Sequence, residues 1–193
     1  MLDQLNISSR SMELCQLVQK SQCTDDLGDP IALDAGIGRI SRILRATNKS
    51  GGNVYMIGNG GSAAVASHIA NDLCNVAELR SVCLLDHTAL TCFANDYGYE
   101  NVYSERLKRI ARPQDVLLAI SSSGESENIV RAARVMRSLG GTVISLSGFK
   151  PGNPLRSSGE INLWINSTDY GLVEIGHLFM LHHLVDHIRL NWV

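Results

Sequence analysis

The stretch YMIGNGGSAAVASHIANDL, Tyr55 to Leu73, joins an apolar run to a glycine- and serine-rich loop and then to an alanine-rich segment. The apolar run predicts a strand, and the alanine-rich segment predicts a helix. Glycines let the backbone approach a ligand closely, and the start of a helix offers free N–H groups and the positive end of its dipole. The stretch therefore predicts a strand–loop–helix unit whose loop binds an anion.

A second loop of this kind, ISSSGES, follows the apolar run DVLLAI at residues 115–120. Its hydroxyls are candidate donors for a phosphate group: Ser121, Ser122, Ser123 and Ser126. The alternative interpretation is a serine-rich turn that merely caps the following helix. No lysine follows the loop, which argues against a Walker P-loop.

Short apolar runs alternate with helical patterns along residues 53–193. We predict strands at 53–58, 81–85, 115–120, 142–148 and 161–166, and helices at 62–77, 89–111 with an interruption near Gly98, 126–140 and 171–190. This alternation predicts an α/β domain with a parallel β-sheet flanked by helices. Both glycine- and serine-rich loops would then lie at the carboxyl edge of the sheet, where ligands bind.

The first fifty residues show helical spacing of apolar side chains, with a polar break from Cys23 to Pro30. We therefore predict an N-terminal helical segment, residues 1–50, ahead of an α/β core, residues 53–193. No linker composition separates the two, so the expectation is a single domain over residues 1–193. The final helix is apolar on several sides, which predicts that it is buried at a subunit interface beside the N-terminal helices.

Composition excludes several classes of function. The net charge of −2 gives no basic surface for nucleic acid, and no apolar run approaches the ~20 residues that a membrane span needs. The N-terminal residues lack the basic and apolar regions of a signal peptide. The five cysteines are odd in number and widely spaced, which indicates reduced thiols and a cytoplasmic protein.

His68 and Asp72 are spaced i, i+4 on a predicted helix, so their side chains share one face. Such a pair can bind a metal ion or take part in proton transfer. It is also common as a histidine–carboxylate pair on a protein surface without either role. Glu174 and His182 lie eight residues apart on the last helix, about 12 Å along its axis. They can meet at one atom only if their side chains lean together or if different subunits contribute.

The first loop also fits the loose dinucleotide pattern GxGxxG/A at Gly58, Gly60 and Ala63, with Asp86 as the nearest acid. This competing interpretation predicts a nicotinamide-dependent oxidoreductase without a metal. It does not explain the second, serine-rich loop or the histidine that follows the first loop.

Four segments in order, GNGGSAAVASHIANDL, FANDYGYENVYSERL, ISSSGESENIV and VEIGHLFMLHHLVDHI, resemble the sugar isomerase (SIS) domain family over nearly the whole chain. Within the family they look most like the branch that isomerises sedoheptulose 7-phosphate in bacterial surface-heptose biosynthesis. The resemblance implies a three-layer α/β/α, flavodoxin-like SIS domain whose N-terminal helices join an oligomer helix bundle. It also implies a homotetramer with active sites built across subunits.

The resemblance implies roles for matching residues. The first loop and an Asn-Asp pair would bind the sugar, and the second loop its phosphate: Asn59, Gly60, Gly61, Ser62, Asn95, Asp96, Ser121, Ser122, Ser123 and Ser126. Zinc would be held by four residues, of which Asp72 and Glu174 would also contact substrate: His68, Asp72, Glu174 and His182. Asp72 would be the catalytic base, assisted by His182.

Two positions depart from the family pattern: Asp72 stands where the family has glutamate, and Glu174 where it has glutamine. The shorter acid and the extra charge indicate either a changed substrate or a variant of the same enzyme. We expect an aldose–ketose isomerase that forms D-glycero-D-manno-heptose 7-phosphate through an enediol. The alternative is a non-catalytic SIS module that binds a sugar phosphate or a protein partner of the replication-initiator type.

Overall fold

The computed structural model describes residues 6–190 of the 193-residue chain. The strands of this part are β1 Gln22–Asp25, β2 Pro30–Ile31, β3 Val54–Ile57, β4 Ser81–Cys83, β5 Val116–Ser121, β6 Thr142–Ser147 and β7 Ile161–Trp164. Its helices are α1 Ile7–Gln19, α2 Leu33–Lys49, α3 Gly60–Asn75, α4 His87–Tyr97, α5 Val102–Ile110, α6 Glu127–Ser138 and α7 Tyr170–Leu190, with a 3₁₀ turn at Tyr99–Asn101. None of the described helices combines the length and hydropathy that crossing a bilayer requires.

The strands form one sheet in the order β2-β1-β7-β6-β5-β3-β4. From β4 to β7 all neighbouring strands are parallel, and their order is that of the flavodoxin-like doubly wound fold. The direction of winding reverses between β3 and β5, so the loops after these two strands flank the switch point. The predicted fold class is confirmed, and the two predicted anion loops lie where such sheets bind ligands.

The sheet also has an antiparallel extension that the sequence analysis missed. β1 pairs with β7, with Cys23 opposite Leu163, and β2 pairs with β1 at the outer edge. The predicted break from Cys23 to Pro30 does separate two helices, α1 and α2, but the same stretch contributes two strands that were not predicted. These strands are too short to show a period of two, and Pro30 is tolerated because an edge strand need not donate on its outer side. Residues 1–5 of the predicted helical segment lie outside the described residues.

Helices cover both faces of the sheet, and this explains the continuous apolar runs in its strands. All six residues of β5 are buried. Along the strands alternate side chains enter two cores: Met56 and Leu118 pack towards α2, α3 and α7, whereas Tyr55 and Leu117 pack towards α5 and α6. The strands are therefore apolar on both sides, as expected for parallel strands between two helical layers.

The layer formed by α1 and α7 leaves apolar surface uncovered. No residue of α1 is buried, and it is held to the rest of the chain by contacts such as the ion pair of Arg10 with Asp169 and the packing of Val18 near Gly176. On α7, Ile175 is 50% and Phe179 60% exposed, although the opposite side of the helix is fully packed. The subunit interface predicted at this helix stays a prediction.

One histidine of α7 is buried completely. The Nε2 of His177 lies 3.1 Å from the carbonyl oxygen of Ser147, to which it donates. Burial away from water disfavours the charged imidazolium and lowers the pKa of His177 to about 4, against a smaller opposing effect of the hydrogen bond. The ring is therefore neutral in the folded protein at neutral pH.

We predict that His177 makes the protein sensitive to mild acid. Between its ordinary pKa of 6.5 and the native pKa of about 4, the unfolded chain binds a proton that the folded chain does not, so stability falls as the pH falls through this range. The loss between about pH 7.5 and about pH 5 is on the order of 2 kcal/mol from this group. Urea unfolding at both values should show a smaller loss for His177→Gln, whose amide can still donate to Ser147. An equal loss in both proteins contradicts the assignment.

Candidate substrate and metal site

A cavity of about 240 Å³ opens between the carboxyl ends of β3 and β5. Both predicted anion loops line it, together with two residues of α7: Asn59, Gly60, Gly61, Ser62, Ser121, Ser122, Ser123, Ser126, Tyr170 and Glu174. The structure thus brings together every residue that the sequence analysis took from the two loops. Tyr170 was not among the predicted residues, since nothing in its sequence context distinguishes it from an ordinary helix start.

The first loop depends on a close approach between the end of β3 and the start of α3. A β-carbon at Gly58 would lie 2.5 Å from the backbone carbonyl carbon and oxygen of Ser62, a distance that real side chains do not adopt. Gly60 has a φ of +54°, in the left-handed region that favours glycine. These two glycines let the chain turn directly from the strand into the helix, so the backbone amides of the turn border the cavity.

Two of the helices that begin at the cavity, α3 and α6, lack a side-chain cap, whereas α7 is capped by Asp169, whose carboxylate accepts the N–H of Leu172 at 3.0 Å. Asn59 occupies the N-cap position of α3 and Ser126 that of α6, and neither makes a side-chain capping hydrogen bond. The first N–H groups of both helices therefore have no side-chain acceptor and carry the positive end of a helix dipole. Ser126 therefore does not act as a side-chain cap, which argues against the alternative interpretation of the serine loop. Two uncapped helix N-termini at one cavity are suited to binding an anion.

The side chain of Asn59 is fixed by residues that the sequence analysis did not single out. Asn59 and Asn128 exchange two amide hydrogen bonds of 2.9 and 3.0 Å, and the hydroxyl of Tyr99 donates to the oxygen of Asn59 at 3.0 Å. Asn128 is buried in the first turn of α6. The network ties the first loop to the helix that follows the second loop, a pairing across 69 residues that no local pattern could reveal.

Hydroxyl groups also join the two loops directly. The hydroxyl oxygens of Ser62 and Ser122 lie 3.3 Å apart, and the hydroxyl of Ser121 donates to that of Ser126 at 3.2 Å. The backbone N–H of Gly148, after β6, donates to the carbonyl of Ser122 at 2.9 Å. The two contacts between hydroxyls are neutral and long, so a bound anion can replace them, whereas the backbone bond from Gly148 holds the second loop in place.

Three residues further along α3 and α7 form a group that can hold a metal ion: His68, Asp72 and His182. The Nε2 of His68 lies 3.2 Å from the Nε2 of His182 and 3.4 Å from a carboxylate oxygen of Asp72. Ligands at about 2.05 Å from a tetrahedral zinc are separated by about 3.3 Å, which these two separations match, and all three ligand atoms lie within 4.8 Å of one another. Two imidazoles and a carboxylate are a ligand set that zinc accepts with a fourth position open.

Glu174 is not part of this group. It lies eight residues before His182 on α7, and its carboxylate contacts Gly61 at the mouth of the loop cavity. The expected set of four zinc ligands is therefore not assembled within one chain, because a helical separation of about 12 Å exceeds what the two side chains can bridge. Glu174 joins the substrate cavity instead.

Asn95 and Asp96 lie elsewhere. Both are exposed on α4, where the amide of Asn95 donates to the carboxylate of Asp96 at 3.0 Å, and neither lines the loop cavity. The single chain therefore does not bring the predicted Asn-Asp pair to the serine loops.

We predict that Gly58→Ala displaces the first loop. The added methyl group meets backbone atoms of Ser62 that cannot move alone, so overpacking of about 1–3 kcal/mol is expected. Urea denaturation measures this loss of stability. Gly152→Ala is the matched control, because its β-carbon would meet no atom within 4 Å and its φ is not positive. Equal stabilities of the two variants would show that the approach is not tight.

Comparisons with known proteins agree with this fold. Among solved structures, the phosphoheptose isomerase from Neisseria gonorrhoeae has a TM-score of 0.81 at 28% identity, with 94% of each chain covered. The phosphoheptose isomerase from Francisella tularensis has a TM-score of 0.82 over 98% of each chain, and its 24% identity supports the fold alone.

Sequence relatives extend the comparison. The phosphoheptose isomerase of Mycobacterium tuberculosis is 34% identical over 175 residues, 84% of this chain and 85% of the relative. That of Helicobacter hepaticus is 36% identical over 163 residues, 81% of this chain and 83% of the relative. The SIS domain profile matches residues 31–148, more than half of the chain. The predicted resemblance is confirmed, and the chain belongs to the SIS domain family.

Proposed function

We propose that the protein is a phosphosugar aldose–ketose isomerase that converts sedoheptulose 7-phosphate to D-glycero-D-manno-heptose 7-phosphate. The observation that carries the proposal is the placement of an anion cavity and a His–Asp–His group on the same two helices, α3 and α7. The proteins that this chain resembles over most of its length are named phosphoheptose isomerases, which supports the same reaction.

Neutral groups would bind the phosphate. Neither lysine nor arginine is among the residues that line the described cavity. Two helix N-termini without side-chain caps and several serine hydroxyls point to the same space, and together they supply partial positive charge and hydrogen-bond donors. Binding at this end of the substrate would hold its other end in position for the reaction.

The separation of the two parts of the site fits a long sugar. His68 lies seven residues after Gly61 on α3, and His182 lies eight residues after Glu174 on α7, so each is about 11–12 Å from the cavity along its helix axis. An extended seven-carbon chain with its terminal phosphate spans about 10 Å, at roughly 1.25 Å of advance for each C–C bond of about 1.5 Å. A phosphate in the cavity would therefore leave the carbonyl end of such a sugar near Asp72.

Asp72 would act as the base. Its carboxylate is mostly buried, with 18% of the side chain exposed, and would remove the proton from the carbon next to the carbonyl and return it to the neighbouring carbon. The imidazole of His182, whose Nδ1 lies 3.5 Å from that carboxylate, would move the proton between the two sugar oxygens. Zinc held by His68, Asp72 and His182 would supply polarisation of the carbonyl. Glu174 would accept hydrogen bonds from sugar hydroxyls beside the cavity.

The dinucleotide interpretation has less support. It needs the carboxylate of Asp86 for a ribose hydroxyl, but that carboxylate caps α4 by accepting the N–H of Ala89 at 2.7 Å. It also leaves the serine loop and the His–Asp–His group without a role.

A homotetramer would complete the site. The exposed apolar residues of α7 and the absence of buried residues in α1 fit a helical interface between copies of the chain. Asn95 and Asp96 lie on an exposed face, from which they could reach the cavity of another subunit. The cytoplasmic location expected from the cysteine spacing stays a prediction.

We predict that each residue of the His–Asp–His group is needed for zinc binding or for turnover. His68→Ala and His182→Ala should each lose bound zinc, because a three-ligand site then keeps only two protein ligands. Asp72→Asn should lower turnover of sedoheptulose 7-phosphate by about 100- to 10,000-fold, since an amide cannot accept the proton. Metal analysis and a coupled isomerase assay measure the two effects.

Two further variants sharpen this test. His87→Ala is the matched control, because His87 is exposed at the start of α4 and outside the group. Asp72→Glu restores the family residue: preserved activity indicates a tolerated variation, whereas lost activity indicates a site reshaped around the shorter acid. Sugar-phosphate binding without turnover by the intact protein would favour a non-catalytic SIS module and overturn the isomerase.

We predict that assembly depends on the open face of α7. Phe179→Asp places a charge on this apolar surface and should shift the protein to smaller species, as light scattering at micromolar concentration would show. Leu27→Asp, at an 83% exposed position in the β1–β2 turn, is the control and should leave the mass unchanged. A monomeric mass for the unaltered protein contradicts the proposed interface.

A further inference from the structure

Tyr170 lies at the mouth of the serine-loop cavity, at the first position of α7. It is 59% exposed, and its hydroxyl makes no hydrogen bond to any of the described residues. Its ring is nevertheless held in place: the ring of Phe149 stands against it edge-on, with centroids 4.8 Å apart and planes at 67°. An exposed phenol is thus fixed beside an anion cavity with its donor unused.

Phe149 adopts a backbone conformation that aromatic residues rarely take. Its φ is +57°, in the left-handed region, where a bulky side chain is strained. Hydrogen bonds hold the segment on both sides: the N–H of Phe149 donates to Ser167 at 2.9 Å, and the N–H of Gly148 donates to Ser122 at 2.9 Å. Backbone strain of this kind persists where the surroundings enforce it, and it is concentrated at binding sites.

No positively charged side chain is among the residues that line the described cavity, so a further neutral hydrogen-bond donor would stabilise a bound anion. Lys150, which follows Phe149, is engaged in an ion pair of 3.0 Å with Glu125 of the serine loop, and neither lines the cavity. The charged side chain that does line it is the carboxylate of Glu174. A phosphate dianion there gains from each additional hydroxyl donor, because hydrogen bonds to a charged group are stronger than those between neutral groups.

We propose that Tyr170 is a substrate-binding residue whose phenol hydroxyl donates a hydrogen bond to the phosphate group in the serine-loop cavity, with Phe149 as the residue that positions its ring. The inference rests on the proposed function for the identity of the sugar, but the phosphate contact itself does not depend on turnover.

The test is binding of inorganic phosphate by calorimetry. Tyr170→Phe removes the hydroxyl alone, and its phosphate dissociation constant should rise by about tenfold or more, the loss expected for a hydrogen bond to a charged group. The KM for sedoheptulose 7-phosphate should rise in parallel. Tyr55→Phe is the matched control: it removes a hydroxyl bonded to the carbonyl of Ile110, away from the cavity, and should leave phosphate binding unchanged.

Variants of Phe149 test the positioning role. Phe149→Leu removes the ring contact and should weaken phosphate binding, whereas Phe149→Tyr keeps the ring and should restore it. Such rescue distinguishes positioning from a general loss of stability. Unchanged phosphate affinity in Tyr170→Phe overturns the proposal, as does a protein that binds no phosphate. If the intact protein binds phosphate through Tyr170 but isomerises no sugar phosphate, the proposed phosphate contact is supported and the proposed isomerase activity is contradicted.

Discussion

The parallel packing of α3 against α7 is the constraint on which the site depends. Both helices begin at the carboxyl edge of the sheet, and they touch at two levels: Gly61 against Glu174 near their starts, and His68 against His182 further on. Seven residues of one helix and eight of the other separate the two contacts. Because both advance by about 1.5 Å per residue, the pairing at one level fixes the pairing at the other. A shift of either helix along its axis would therefore separate the imidazoles of His68 and His182 and, at the same time, separate Gly61 from Glu174 at the cavity.

Sequence patterns predicted most of the fold because it is built from long amphipathic helices and fully apolar strands. The strand–loop–helix unit after Val54 and the serine loop after β5 were found where expected. β1 was missed because its pairing with β7 is set by residues more than a hundred positions away, and the two-residue β2 because it depends on β1 for its pairing. The structure supplied a mixed sheet where local spacing indicated a break.

The candidate site was predictable in its parts but not in its assembly. The i, i+4 spacing of His68 and Asp72 predicted that they share one face of a helix. In the structure His182 of α7 lies against that face and completes the group. The separation of Glu174 from His182 already indicated that the two could not easily meet, and Glu174 lies at the cavity instead. Asn128 and Tyr99 were not predicted, because neither residue has a distinctive local pattern. Their hydrogen bonds to Asn59 depend on which loops meet in space.

No residue of α1 is buried within the chain, so the proposed association between copies would make the order of this helix depend on protein concentration. A thirteen-residue helix is marginal by itself in water, so its stability must come from what it packs against. If part of that packing is another copy of the chain, dilution removes it by mass action. The N-terminus would then exchange its amide hydrogens faster in dilute solution than in concentrated solution, while the sheet behind it stays protected. A local folding equilibrium in this protein would thereby report on its association.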